Sequence, residues 1–440
     1  MHCSTALLIS CLFVFIGLPE VNSGASNSLS DCQAVASMFL TTINYTAANI
    51  TATTGVNVTC SATGVVCPGT TINGVCVWQR KLSAVCRSVS GVTKIRIQTN
   101  GLPPRCASVP MGTFSELNVD FEVNFNPAVS INSLNQNLTT RSALSTLVCN
   151  LINQATPPST SGYVQYGMTT LTTAAGVALD GVMIFNVDSA DDIDPFYPPP
   201  GSNAETVDAC LAHCQTAGIY HYHIASSCVL NPPTGSISSC AGTTACNGLI
   251  ANYSISGFAS YQTMTVLGVA RDGHVVYGPY LSAGTRVTSG FDVCNGMFYD
   301  SIGNYAYFAT STYPYLTGCF GPGNYPSFGP NCSSNAVSSY TMSTYATSFL
   351  SSNSSNSTTV STSSTTIAVN ASTTTAPTAS TTIASNASTT TAPTASTTIA
   401  SNVSTTSASN NIRTSSAGPQ AIRSSFVGVL LLFSIIVWIF

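Results

Sequence analysis

The sequence predicts a mostly β, disulfide-rich fold in which two related β units pack as an internal pseudo-repeat, followed by a disordered Ser/Thr-rich stalk. Three observations predict it. Short runs rich in Val, Thr, Tyr and Ile alternate with polar residues between glycines and prolines. All seventeen cysteines lie within the first 332 residues. Two segments offset by 92 residues also share one sequence plan.

The first element is a secretory signal at residues 1–23, where an apolar run precedes small residues at which a peptidase can cut. Its removal takes Cys3 and Cys11 with it and leaves fifteen cysteines. In an oxidising compartment most of these should be bridged. Because fifteen is odd, one thiol is expected to be free, to pair between molecules or to coordinate a metal.

A cysteine-rich β module is expected at residues 24–94, before the main domain at residues 95–332. Two runs alternate as strands do: VTKIRIQT at 92–99 and LNVDFEVNF at 117–125. Six cysteines near the start are expected to brace the module, with Cys149 as the seventh in order. They are Cys32, Cys60, Cys67, Cys76, Cys86 and Cys106.

The main domain contains the internal repeat, with units at about 163–246 and 262–332. GVALDGVMIFN at 176–186 aligns with GVARDGHVVYG at 268–278. An Asp-Gly dipeptide within each segment is expected to close a hairpin. Both units then continue with D-x-C, a short loop and G-x-Y-x-Y. Since neither unit can bury both of its faces alone, the two are expected to pack about a pseudo-twofold axis.

Residues 333–425 consist largely of Ser, Thr, Ala and Asn and contain a 16-residue repeat, which predicts a glycosylated stalk without a core. The apolar tail at 426–440 follows a polar spacer and small residues, the pattern of a glycosylphosphatidylinositol (GPI) signal with attachment at Ser415. The tail has 15 residues, whereas a spanning helix needs about 20. The protein is therefore expected on the extracellular face of the plasma membrane, lipid-anchored in the outer leaflet.

The amino-acid composition limits which molecules the protein is expected to bind. Charged residues make up 6% of the chain and the net charge is −4, so the basic surface that nucleic acid binding needs is missing. An extracellular ligand or surface partner stays open. Eleven N-x-S/T sequons fit a secreted protein. Those before the stalk are the candidate glycosylation sites Asn44, Asn49, Asn57, Asn137, Asn252 and Asn331.

All four histidines beyond the signal lie in the repeat region: His213, His221, His223 and His274. Residues two apart in a strand share a face, so His221 and His223 should project side by side. A loop can return His213 as a third ligand, and the pseudo-twofold axis can bring His274 to face the site. Neutral imidazoles suit zinc or copper. The expectation is a site for copper or zinc built from these four residues, with calcium less favoured.

The second unit lacks the first unit's histidines. Where the first has His213, His221 and His223, the second has Met297, Ala306 and Phe308. The tyrosines and the Asp-x-Cys pattern persist in both, so the fold does not require histidine at these positions. The opposing reading is that the first unit's histidines are packed, hydrogen-bonded core residues.

The tetrad Tyr-His-Tyr-His at 220–223 follows Asp208, Cys210 and His213. It precedes GVARDGHVVYGPY at 268–280, CNG at 294–296 and YPYLTGCFG at 313–321. Over about residues 95–332 this order of motifs resembles the YHYH domain family, whose biochemical role is unassigned. The family typically carries a second histidine-bearing tetrad after CNG, where this chain has Tyr-Ala-Tyr-Phe at 305–308. If the family binds metal at two places, the resemblance implies that this chain has kept one of them.

Other sequence patterns that could indicate a binding or catalytic site are weak. Asp188, Asp191, Asp192 and Asp194 form an oxygen-rich loop, but they lack EF-hand spacing, which favours a solvated turn. Motifs for a serine nucleophile, a phosphate loop or a zinc-protease helix are missing, and no enzymatic turnover is assigned. Two functions remain: a GPI-anchored surface glycoprotein that binds a transition metal, or a surface recognition, adhesion or coat protein with structural histidines.

Overall fold

A computed structural model gives the fold of the chain. It describes residues 27–107, 113–129, 135, 138–152, 162–168, 171, 173–215 and 218–347. The chain divides into two units, residues 1–361 and 362–440, and all described residues lie in the first. The predicted signal at 1–23, the anchor residue Ser415, the tail at 426–440 and most of the predicted stalk lie outside the described residues.

The mostly β prediction is confirmed, because strands dominate the part of the chain that the structure describes. The strands are β1 (Val56–Ser61), β2 (Thr70–Ile72), β3 (Val75–Arg80), β4 (Leu82–Val89), β5 (Val92–Thr99), β6 (Val119–Asn124), β7 (Val164–Gln165), β8 (Ala174–Ala178), β9 (Met183–Phe185), β10 (Ala212–Cys214), β11 (Tyr220–Tyr222), β12 (Val266–Ala270), β13 (Val275–Tyr277), β14 (Gly296–Phe298) and β15 (Tyr305–Phe308).

In the described part of the chain, three short α-helices accompany the strands, and the sequence did not predict them. They are α1 (Leu29–Met38), α2 (Arg141–Val148) and α3 (Ile250–Ser256). Helix α1 begins where the Ser28 hydroxyl accepts a hydrogen bond from the Asp31 N–H, as an N-cap does. Among the described residues, no helix has the length and apolar character needed to cross a membrane.

The N-terminal strands form two antiparallel sheets, ordered β1-β3-β2 and β4-β5-β6-β7. The two predicted alternating runs are confirmed, since 92–99 is strand β5 and 117–125 contains β6. Strand β5 pairs with β4 on one side and β6 on the other. The boundary expected between residues 94 and 95 falls inside β5, so the sheet is continuous there.

The cysteines pair much as their grouping suggested. The first six bond among themselves, and Cys149 reaches the end of the main domain. The disulfides among the described residues are Cys32–Cys86, Cys60–Cys106, Cys67–Cys76, Cys149–Cys332, Cys210–Cys228, Cys240–Cys246 and Cys294–Cys319. The odd thiol belongs to Cys214, which is free and buried.

The remaining eight strands form one sheet, ordered β10-β11-β9-β8-β12-β13-β15-β14. Outward from the central antiparallel β8–β12 pair, both halves have the same strand order and directions. The predicted Asp-Gly hairpins close β8–β9 and β12–β13, with positive φ at Gly181 and Gly273. This topology is consistent with the internal repeat.

The folded region continues past residue 332, where the stalk was expected to begin. Tyr340 and Ala346 are buried. The Ser333 hydroxyl donates to Asp194, and the Ser343 hydroxyl donates to the Phe298 carbonyl. Residues 333–347 therefore pack onto the main domain despite their Ser-rich composition.

Candidate metal centre

Six buried tyrosines each donate the hydroxyl proton to a buried aspartate, and these pairs form a frame within the main domain. The pairs are Tyr220–Asp208, Tyr222–Asp180, Tyr305–Asp292, Tyr307–Asp272, Tyr313–Asp188 and Tyr315–Asp194. A buried carboxylate is costly unless it is hydrogen-bonded, so these pairs hold the segments that carry the tyrosines in place. The sequence signal was a Tyr-x-Tyr pattern that occurs three times.

The acidic loop belongs to this frame and is not the fully solvated turn that was expected. Asp188 and Asp194 are buried, whereas the two aspartates between them, Asp191 and Asp192, are exposed. Tyrosine hydroxyls donate to both buried carboxylates, which explains why side chains typical of a surface loop lie inside the protein.

One cation, Arg105, lies fully buried behind the first unit's tyrosines. Its guanidinium donates to Asp180 at 2.7 Å and also to the Tyr222 hydroxyl. Because Tyr220 and Tyr222 engage this network, the alternation of side chains directs His221, and His223 just after the strand, to the opposite face. Sequence reasoning missed Arg105, which lies 75 residues from Asp180 and outside both repeat units.

The other face of β11 carries the histidine cluster. The antiparallel register of β10 and β11 sets His213 opposite His221. His221 and His223 lie side by side as expected, with their Nε2 atoms 2.9 Å apart. One ligand atom from each of the three histidines lies within 4.8 Å of the others. The structure thus brings together three of the four predicted metal ligands.

Hydrogen bonds to backbone carbonyls orient two of the rings. His221 Nδ1 lies 2.8 Å from the Ile219 carbonyl oxygen, and His223 Nδ1 lies 2.7 Å from that of Asn186. A carbonyl oxygen only accepts, so each Nδ1 must carry the proton and donate. In the neutral rings both Nε2 atoms then present lone pairs to each other. A cation between them would remove that repulsion.

Burial keeps these rings neutral. It lowers the pKa of His213 to about 4 and that of His223 to about 3. The pKa of His221 is lowered well below its ordinary value, first by burial and then by the two neighbouring histidines. Neutral imidazole is the form that binds metal. A proton shared between the Nε2 atoms of His221 and His223 would require one of the two rings to be an imidazolium, which the lowered pKa values disfavour.

His213 has no hydrogen-bond partner at either ring nitrogen although it is buried. Its Nε2 lies 3.3 Å from Glu205 Oε2, but that contact lacks hydrogen-bond geometry, and Oε2 is itself unpartnered. Burial, followed by repulsion from Asp191, raises the pKa of Glu205 to about 7. Sequence reasoning missed Glu205, because nothing in the pattern of its loop distinguishes it from other surface acids.

Aromatic side chains support the cluster without blocking it. Phe185 stacks on the face of His221 with ring centroids 3.9 Å apart, and Phe196 meets His223 edge to face. The lone pair of an imidazole nitrogen lies in the ring plane. A neighbour stacked on the face therefore fixes the ring and leaves Nε2 free to coordinate.

His274 lies outside the cluster. Its Nδ1 is 2.9 Å from Asp272 Oδ2 and its Nε2 is 3.2 Å from the Pro127 carbonyl oxygen, so both nitrogens are engaged. In the second half of the sheet, Met297 stands opposite Ala306, as His213 stands opposite His221 in the first. That half presents no histidine at these places.

The candidate glycosylation sites lie at the surface wherever the structure describes them. The exposed residues are Asn44, Asn49, Asn57, Asn252 and Asn331. Asn137 lies outside the described residues. Exposure is what attachment of a glycan requires.

Fold and site together define a disulfide-bonded β domain whose large sheet carries a buried three-histidine cluster. Residues 154–290 match the family model described as YHYH protein, which confirms the resemblance, and this segment is a YHYH domain. The matched segment contains all three histidines of the cluster. No curated protein and no solved structure matches the chain. The YHYH domain, together with the seven disulfides among the described residues, indicates a surface or secreted protein.

Proposed function

We propose that this YHYH domain binds a transition metal, copper or zinc, through His213, His221 and His223. The observation that carries the proposal is the pair of Nε2 atoms 2.9 Å apart on rings whose Nδ1 atoms both face carbonyl oxygens. Backbone carbonyls that hold Nδ1–H are the usual partners of metal-binding histidines, because they fix the ring orientation and its tautomer.

The spacing of the nitrogens supports a small ion. Zinc–nitrogen bonds of about 2.0–2.1 Å place neighbouring ligands of a tetrahedral site about 3.3 Å apart. The three ligand atoms span separations from 2.9 Å to at most 4.8 Å. Small rotations of the side chains would therefore suffice to close them around one ion. Imidazole ligands suit zinc and copper better than calcium, which prefers oxygen.

The proposal includes the cellular setting. We infer that the domain stands on the extracellular face of the plasma membrane, glycosylated at its exposed sequons and joined through the stalk to a GPI anchor at Ser415. The seven disulfides that the structure describes support an oxidising compartment. The sequence pattern from 415 to 440 supports the anchor.

Elemental analysis of the protein purified from cells that express the full chain tests the metal site. The triple variant His213→Met, His221→Ala, His223→Phe introduces the residues that the second unit has at these places. We expect about one copper or zinc ion per wild-type chain and none in the triple variant. The control His274→Val introduces the first unit's residue, Val182, at a histidine outside the cluster and should keep the metal.

Thermal melts with and without a chelator give the second readout. An ion present at about 100 times its dissociation constant stabilises a folded protein by about 2.7 kcal/mol. The wild-type melting temperature should therefore fall by several degrees in chelator, and that of the triple variant should not move. A wild-type protein that takes up neither metal and melts identically in chelator would instead support a recognition, adhesion or coat protein with structural histidines.

A further inference from the structure

A surface loop carries one carboxylate to the histidine cluster. Residues 200–204 are exposed, but the chain is fixed on both sides of Glu205. The Glu205 N–H donates to the Pro195 carbonyl at 2.6 Å, and the carbonyl of the buried residue Val207 accepts from the Cys240 N–H at 2.9 Å. The backbone thereby holds Glu205 next to the cluster.

The carboxylate lies where a further ligand would. Glu205 Oε2 is 3.3 Å from His213 Nε2 and 3.8 Å from His223 Nε2. These separations are close to the value of about 3.3 Å between neighbouring ligands of a tetrahedral metal ion. The oxygen is buried and makes no hydrogen bond, and neither does His213 at either nitrogen. Two polar atoms that lack partners, Glu205 Oε2 and His213 Nε2, therefore lie side by side in the interior.

We propose that Glu205 is the fourth ligand and that it closes the metal site. The inference rests on the proposed function, since it requires the ion that the three histidines bind. A carboxylate offsets part of the charge of a divalent ion, which three neutral imidazoles do not, and this matters most in a buried site.

A closed site has a functional consequence. Catalytic zinc sites keep one position open for water or substrate, whereas four protein ligands leave none open. The geometry thus points to a domain that holds its ion, as a structural or storage site does. Exchange of the ion proceeds past Glu205, because its side chain is 20% exposed whereas that of each of the two histidines it approaches is 3% exposed.

Cobalt and azide test the inference directly. Cobalt(II) occupies zinc-type sites and its visible spectrum reports coordination, while azide binds a cobalt ion only where a position is open. The wild-type cobalt protein should show no change with azide. Glu205→Ala should still bind cobalt through the histidines, should change its spectrum on adding azide, and should lose the ion to a chelator at least tenfold faster.

A matched control is Glu116→Ala, which removes a partly exposed glutamate paired with Lys81 and should behave like wild type. Azide binding to the wild-type cobalt protein would overturn the inference. So would a Glu205→Ala protein that neither binds azide nor releases cobalt faster. A wild-type protein that takes up no cobalt, copper or zinc would overturn the proposed function itself, so the two failures are distinguishable.

Discussion

Adjacent residues of β10 occupy different chemical environments. His213 faces the histidine cluster, whereas Cys214 stands opposite Tyr220 on the other face of the sheet. Burial, with a smaller contribution from Asp208, raises the pKa of the Cys214 thiol to about 12. Because thiolate is the reactive form, this cysteine should be inert to oxidants and to other thiols.

The number of thiols that react with a thiol reagent tests this expectation for Cys214. In native protein at pH 8 we expect no reaction with a thiol reagent such as dithionitrobenzoate. In guanidinium without reductant we expect one thiol per processed chain, and none in the variant Cys214→Ala. Two or more thiols in the unfolded wild-type protein would contradict the pairing of all the other described cysteines.

The two halves of the large sheet meet at strands that approach unusually closely. A Cβ added at Gly176 would lie 2.5 Å from the Val269 carbonyl oxygen, and one at Gly268 would lie 2.3 Å from that of Val177. Both obstacles are backbone atoms, which no change of side-chain rotamer can move. The central β8–β12 pair therefore requires glycine on each strand.

Substitution of one central glycine tests the pairing of the halves. Gly268→Ala should lower the free energy of unfolding by about 1–3 kcal/mol, because the strands must separate to admit the methyl group. Gly278→Ala is the matched control, since its added Cβ would have no neighbour nearer than 3.6 Å. Chemical denaturation measures both. Equal stability of the two variants would argue against close β8–β12 pairing.

Across the whole molecule, buried carboxylates make stability depend on pH. Burial is the largest cause of a raised pKa at four frame aspartates, Asp188, Asp194, Asp208 and Asp292. For Asp292 the pKa rises from 3.8 to about 6. The folded state therefore binds this proton more tightly than the unfolded state. The stability it contributes is complete below about pH 4 and is lost as the pH rises through about 6.

A comparison of wild type with Asp292→Asn isolates this effect. A shift of about two pKa units corresponds to about 3 kcal/mol. The wild-type free energy of unfolding should therefore fall by about that amount, relative to the variant, between pH 4 and pH 7. Urea denaturation at both pH values measures it. Both proteins should carry the triple histidine substitution, so that release of a metal ion does not contribute to the difference. If the free energies of unfolding of the two proteins changed in parallel with pH, the prediction would be contradicted.

Local patterns in the sequence were enough for much of the fold. The alternation in residues 92–99 predicted β5, and each Asp-Gly dipeptide predicted its hairpin. The spacing of His221 and His223 predicted that they share a face, and their Nε2 atoms are 2.9 Å apart. These features depend on residues close together in the chain, where backbone geometry fixes which side chains are neighbours.

Tertiary structure alone decided which distant residues complete the site. It brought Glu205 to the cluster and Arg105 behind the tyrosines, while it engaged His274 with Asp272 and the Pro127 carbonyl. It also drew residues 333–347 onto the domain. Such contacts depend on how loops and sheets pack, and the need to pair buried polar atoms selects among partners that no local spacing identifies.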